Sequence, residues 1–228
     1  MKLGMIQGRL LRPEDGDMQE FPVCWEEEFD KANKLGLNHI EWIVTSRSFN
    51  YNPIFSRDCS GFSISSLCAD NLVDDRFLDD RFLDENLDPI CKAALDSKVM
   101  WVTIPLLENS SISDPEKRKI FKEKILTYGD KYQNLNFSFE AETTAENALD
   151  IAKERDNFWL TYDTGNITSE RIEHKDYITK TQGKINNVHL KDRTFDAKTV
   201  IPLSGDTPFD LIFNTLSSVN YNGLYTIQ

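Results

Sequence analysis

Three residues with metal-binding side chains stand at the ends of three apolar runs. Glu140 closes LNFSFE, Asp163 closes NFWLTYD, and His189 lies next to the end of INNVHL. Two carboxylates and an imidazole form a donor set suited to Mn²⁺, Mg²⁺, Co²⁺ or Zn²⁺. Each residue also has an ordinary reading. A strand-ending Asp serves as a helix N-cap or a turn residue. A His between Val188 and Leu190 serves as a hydrogen-bonded core residue. The shared position at strand ends favours the metal reading. If the runs are neighbouring parallel strands, about 5 Å apart, their ends can meet around one ion.

The elements that must hold these residues follow from the hydrophobic pattern. Strands are expected at 3–7, 37–44, 62–69, 99–104, 136–140, 158–162, 185–190 and 224–227. Helices are expected at about 25–34, 85–97, 113–133, 144–155, 169–181 and 208–218. Loops are expected at Gly8, Arg9 and the 13–16 stretch, and again at 46–61. The tandem copies of DDRFL at 74–78 and 79–83 are too short for a repeat architecture. They read as a loop running into a helix, a solvated charge run or a lid. Pro89 is expected near that helix's start, because a proline removes a backbone donor from a helix interior.

Strands alternating with helices imply parallel pairing and right-handed crossovers. Eight such units close a (β/α)8 TIM barrel, and 228 residues suit one such α/β domain. An open doubly wound sheet is the alternative, but no glycine-rich phosphate loop follows any strand. The last strand is followed by no eighth helix, so a partner or further chain is expected to cover that flank. In a barrel, catalytic groups gather at the strand C-termini, which is where Glu140, Asp163 and His189 fall.

The formal net charge of −12 argues against non-specific binding to nucleic acid or anionic membranes. No apolar run nears the roughly 20 residues of a membrane span. The four cysteines show no metal-type spacing, and the first residues do not read as a signal peptide. Reduced thiols and a cytoplasmic protein are expected. Glu41 alternates with Trp42 and is expected to face the barrel mouth, to hydrogen-bond a ligand's hydroxyls or pair with a cation. Arg9 and Arg193 are rim candidates for a phosphate or carboxylate, or plain loop residues. Lys191 reads as an acid, a charge stabiliser or a surface lysine.

The chain resembles the xylose isomerase-like barrels, the sugar-phosphate isomerases and epimerases. The segments that carry the resemblance are KLGMIQGRL, the pattern from Phe21 to Ile43, SLCAD, FSFEAE, YDTGN, VHLKDR and YNGLYTIQ. It covers essentially the whole chain. It implies a divalent ion held by Glu140, Asp163 and His189, with Gln228 standing where the family has a fourth ligand, a glutamate. An amide oxygen can bind a hard cation but cannot act as a general base, so Glu140 is the expected base. The resemblance also implies that Glu146 is a second, substrate-binding glutamate near the metal, unless it is a solvent-facing helix residue, and that Asn166 stands in place of a substrate-binding His.

The expected activity is a metal-dependent sugar or sugar-phosphate isomerase or epimerase working through an enediolate. A dehydratase-type lyase and a non-catalytic sugar-binding barrel are the alternatives. An endonuclease IV-like enzyme is disfavoured, since three histidines are too few for its zinc ligands and the chain is acidic. A small sugar or sugar phosphate is the expected partner, with homo-oligomerisation possible.

Overall fold

A computed structural model describes residues 2–12 and 24–228 of the chain. The loop expected at 13–16 lies outside them. The elements in chain order are β1 (Lys2–Ile6), α1 (Glu27–Lys34), β2 (His39–Ile43), β3 (Ile64–Cys68), α2 (Asp80–Asp96), β4 (Trp101–Leu106) and α3 (Pro115–Lys131). They continue with β5 (Asn136–Ala141), α4 (Ala145–Ala152), β6 (Phe158–Asp163), α5 (Thr164–Ser169), α6 (His174–Thr181) and β7 (Ile185–Leu190). A short hairpin, β8 (Asp192–Arg193) and β9 (Thr199–Val200), precedes α7 (Phe209–Ser218) and β10 (Leu224–Ile227). Eight strands close a parallel barrel in the order β1-β10-β7-β6-β5-β4-β3-β2. Among the described residues, no helix is long and apolar enough to cross a membrane.

The period-two alternation of each strand sorts its side chains between two environments. Ile40, Trp42 and Val44 pack outward under the helices with Val102, Phe137, Leu160 and Val188. The opposite parity fills the barrel, and it is largely polar. Ser66 bonds Thr103 (3.0 Å), Ser138 bonds Thr161 (2.6 Å), and Thr226 Oγ1 donates to Asn187 Oδ1 (3.0 Å). TIM-barrel interiors are more often filled with branched apolar side chains. Here a small cluster of Ile6, Ile43 and Cys68 supplies apolar packing apart from the main core.

Several boundaries differ from the sequence expectation. α2 starts at Asp80, not near residue 85, because Asp79 caps it: its Oδ1 accepts from Phe82 N at 2.8 Å. The second DDRFL copy is therefore helical, and Phe77 and Phe82 of the two copies are buried. Pro89 lies inside α2, where it leaves the carbonyl of Glu85 without its usual donor; Glu85 is exposed, so water can serve. The helix expected at 169–181 is two, α5 and α6, with Arg171 at φ 55° in the break. Between β2 and β3 there is only a 3₁₀ turn at Pro53–Phe55. The β8–β9 hairpin has no counterpart in the expected elements.

α6 begins with a buried histidine. His174 Nδ1 lies 2.5 Å from Tyr162 Oη, and its Nε2 lies 3.0 Å from Thr168 Oγ1. Burial lowers its pKa to about 4, below the usual 6.5. The folded state then binds fewer protons than the unfolded chain between those values. Stability from this residue is full above pH 6.5 and drains as pH falls towards 4. Urea unfolding should show roughly 2 kcal/mol lost from this source between pH 7.5 and 5. His174→Gln should flatten that slope; an unchanged slope would refute the assignment.

Candidate active site at the barrel mouth

The register of β5, β6 and β7 brings the three strand-end residues together. Asp163 pairs with His189 across β6–β7, and Glu140 pairs with Thr161 across β5–β6. All share the inward parity. One ligand atom from each of Glu140, Asp163 and His189 lies within 4.8 Å of the others, and all three residues are buried.

Each side chain is oriented by bonds that leave one atom facing the common centre. Asp163 Oδ1 caps α5 by accepting from Asn166 N at 2.7 Å, while Oδ2 is buried with no hydrogen-bond partner. The N-cap and metal readings of Asp163 are thus met by different oxygens of one carboxylate. His189 Nε2 lies 2.8 Å from Glu41 Oε2. Its Nδ1 lies 3.2 Å from Glu140 Oε2 but makes no hydrogen bond. Glu140 Oε1 accepts from Asn166 Nδ2 at 2.9 Å. Gln228 follows β10, its backbone N–H donating to Leu190 O at 3.2 Å, and its Oε1 is a further buried atom without a partner.

The electrostatics fit a bound cation. Burial raises Asp163 above the usual carboxylate range, and this outweighs Lys191, whose Nζ is 3.8 Å from Oδ2. Burial would raise Glu140 as well, but the His189 imidazolium prevails and lowers it. Burial would lower His189, yet Glu41 and Glu140 push it well above 6.5. Without a metal, three buried carboxylates share one imidazolium and one ammonium; with His189 neutral, as a ligand must be, the same carboxylates face one ammonium, an excess of two negative charges that a divalent ion would balance. His189 Nδ1, Asp163 Oδ2 and Gln228 Oε1 are unbonded atoms of the types such an ion prefers. The residues present fit the group.

Glu41 does not have the expected substrate-facing role. It does face the barrel interior, but it is 0% exposed and both oxygens are engaged. Ser66 Oγ donates to Oε1, and Asn187 Nδ2 donates to Oε2, each at 2.9 Å. Burial would raise its pKa, but the His189 charge dominates and brings it to about 2. The Glu41 contact to Nε2 would fix the tautomer and ring angle of a metal-bound, neutral His189. Replacing it with Gln should weaken divalent-metal binding about 10- to 100-fold in a calorimetric titration. An affinity equal to wild type would refute that role.

One other expectation needs correction. Glu146 is exposed and paired with Lys180 at 2.6 Å, far from the cluster's buried setting. α4 turns Ala145, Ala148 and Leu149 inward and leaves Glu146 on its outer face. Asn166 is buried against Glu140, so its amide N–H serves that carboxylate; its Oδ1 alone stays unbonded. Arg9, Lys191 and Arg193 do reach the mouth, lining one cleft with Gln228. Gly165 of the YDTGN segment seats two of them. A Cβ there would lie 3.0 Å from Lys191 Cγ and 3.1 Å from Arg193 Cγ.

Some residues of the mouth were not anticipated. Asp70, just after β3, is raised by burial to about 6 and borders the mouth with Glu108. Glu142 lies 3.5 Å from Arg193 Nη1. Asn187 shares the parity of His189, and that alternation was the signal that could have found it.

No family model matches the chain, and no curated protein matches it in sequence. Solved structures do match its fold over its full length. One is the apo form of the E. coli 3-keto-D-glucoside 4-epimerase YcjR, at TM-score 0.70 and 16% identity, with 91% of that chain covered. Another is IOLI protein with a binding zinc atom, at 0.72 and 15%, with 88% covered. A third is the probable 3-DHS dehydratase AsbF from Bacillus anthracis, at 0.72 and 13%, with 92% covered. Each is at most 16% identical to this chain and has the same fold: the chain is a TIM barrel of the kind these structures share.

Proposed function

We propose that the chain is a divalent-metal-dependent sugar isomerase or epimerase that moves a proton beside a carbonyl. The observation that carries this reading is the convergence of Glu140, Asp163 and His189 at the C-terminal mouth of the barrel, with Asp163 Oδ2 and His189 Nδ1 buried and unbonded. Glu140, Asp163, His189 and Gln228 would hold the ion. Bound there, the ion supplies Lewis-acid stabilisation of the oxyanion that develops as the proton leaves.

The chain's own groups account for the rest of the chemistry. Glu140 is the base that takes the proton, and Asn166 holds its other oxygen. Lys191, on the Asp163 side, is placed to stabilise charge or return a proton to oxygen. Inverting one carbon needs proton removal on one face and return on the other, hence two bases. Gln228 cannot be the second. One carboxylate suffices to shuttle a proton between neighbouring carbons on one face, so aldose–ketose isomerisation is favoured over epimerisation. The structural likeness to 3-keto-D-glucoside 4-epimerase and D-psicose 3-epimerase supports a sugar as the substrate.

The test is solvent-deuterium exchange into a panel of ketoses and ketose phosphates by the metal-loaded protein. Exchange with isomerisation but little inversion is expected from wild type, and Gln228→Glu should add or raise inversion. A protein that takes up no divalent metal would refute the reading.

A further inference from the structure

We propose that Asp70 is a second proton-transfer residue of the site, carrying the oxygen-bound proton of the sugar while Glu140 carries the carbon-bound one. This rests on the isomerase reading and completes its proton balance. Converting a ketose to an aldose breaks a C1–H and an O1–H bond and forms a C2–H and an O2–H bond, as the carbonyl passes from C2 to C1. Glu140 moves the first proton from C1 to C2. The intermediate between these steps still bears a proton on O1 and a negative charge on O2. Asp70 takes the proton from O1 and delivers it to O2. Each carboxylate ends as it began, and no co-reactant is consumed.

The fold sets Asp70 across the mouth from the metal cluster. Ser66 and Cys68 of β3 face the barrel interior, Ser66 through its bond to Glu41 and Cys68 in the cluster with Ile6 and Ile43. Asp70 follows in a 3₁₀ turn at Asp70–Leu72. That turn is held from both sides. Ala69 N donates to Thr103 O of β4 at 2.8 Å, and Asn71 N donates to Val44 O, just beyond β2, at 2.9 Å. In the closed order β3 stands directly opposite β7, the strand of His189. The floor between them has two halves. Ile6, Ile43 and Cys68 on β1–β3 are apolar, whereas Glu140, Asp163 and His189 on β5–β7 carry the charge. A sugar seated on the charged half lies between Glu140 and Asp70.

Asp70 lines a cleft of about 420 Å³ with Gln228, Lys191, Arg193, Arg47 and Glu108. The cleft joins it to the metal cluster through Gln228 and through Lys191, whose Nζ lies 3.8 Å from Asp163 Oδ2. Among the described residues the Asp70 carboxylate has no hydrogen bond and no ion pair, in contrast to Glu41. Burial raises it to about 6, with Glu140 and Glu108 adding to the rise and Lys191 and Arg9 opposing it. A carboxyl in that range gives and takes a proton readily near neutral pH. A bound divalent ion would draw the value down, which leaves Asp70 ionised and ready to take the O1 proton first. Lys191, drawn towards Asp163, is left to steady the charge on O2.

The test follows the two protons separately in the metal-loaded protein. D-ribulose, D-xylulose, D-fructose and their terminal phosphates would be incubated with it in D₂O. NMR would read deuterium at C1 of the recovered ketose and the amount of aldose formed. Asp70→Asn removes the oxygen carrier and keeps Glu140, so ketose should still exchange at C1 while conversion to aldose falls about 100-fold. The ratio of exchange to conversion should therefore rise about 100-fold, whereas a merely structural loss lowers both rates together. Asp70→Glu should recover conversion to within about tenfold of wild type. Thermal unfolding checks the fold of both variants. A ratio that stays at the wild-type value in Asp70→Asn would overturn the proposal and leave the isomerase reading standing. A wild type that exchanges label without forming aldose would overturn it as well, since no oxygen-bound proton is then moved. A wild type that exchanges with none of these sugars would overturn both readings.

Discussion

Glu140→Gln is expected to slow proton exchange with substrate about 10³-fold while the protein still takes up divalent metal. The two outcomes separate because the side chain has two roles. An amide oxygen can stay in a ligand set, but an amide cannot accept a proton at neutral pH. The substitution is isosteric and buried. One oxygen keeps its place against Asn166 Nδ2, 2.9 Å away in the native protein. Without metal, the His189 charge lowers the native Glu140 pKa in spite of burial; in the metal-loaded protein, where His189 would be neutral, the bound cation would keep Glu140 ionised. The measurements are single-turnover deuterium exchange and metal content, with thermal unfolding to confirm the fold. If kcat stays within about tenfold of wild type, the base lies elsewhere and Lys191 becomes the first group to examine.

His189→Ala should have an effect of similar size, and it reaches further into the fold. Loss of Nδ1 removes a ligand, so metal affinity should fall by at least about 100-fold and activity with it. Loss of Nε2 removes the cation beside Glu41, which has no exposed surface. Breaking a buried pair in this way costs about 3–5 kcal/mol, because a charge is left uncompensated. The pH dependence gives the sign. In the native protein Glu41 titrates at about 2, below its usual 4.5. Its ionic contribution is therefore present above pH 4.5 and lost as pH falls through 4.5 towards 2. Without His189, burial is the leading influence and raises the Glu41 pKa above 4.5. The variant then gains relative stability as Glu41 is protonated. Measured in a chelator, the Tm gap between wild type and His189→Ala should be wide at pH 7 and narrow towards pH 4. Adding Glu41→Gln should recover part of the stability and none of the metal binding. A gap that does not change with pH would exclude the Glu41–His189 pair as its source.

The eight strands and the three strand-end residues were readable in one dimension. Run length, alternation and terminal position are local properties, and parallel pairing carries them directly into space. Trp42 outward and Glu41 inward followed from that alternation alone. The start of α2 was not readable, because the two DDRFL copies offer the same residues; the Asp79 cap and the burial of Phe77 and Phe82 select the second as helix. Glu146 was misplaced for a related reason. Its distance from Glu140 in the chain says nothing about the turn at Thr144, whose side chain caps α4 and sets which face looks inward.

The partners of the strand-end residues came from closure of the barrel. Glu41 and His189 are 148 positions apart and lie on strands separated by β1 and β10 in the sheet order, so no local pattern links them. The cleft that Arg9 and Lys198 line has the same origin: Arg9 leaves the first strand, Lys198 sits in a hairpin after the seventh, and the closed ring brings both to one rim. Residue type and period revealed which groups can bind a metal or move a proton. Long-range closure settled which atoms are bonded away and which stay open, because that depends on neighbours that local sequence does not name.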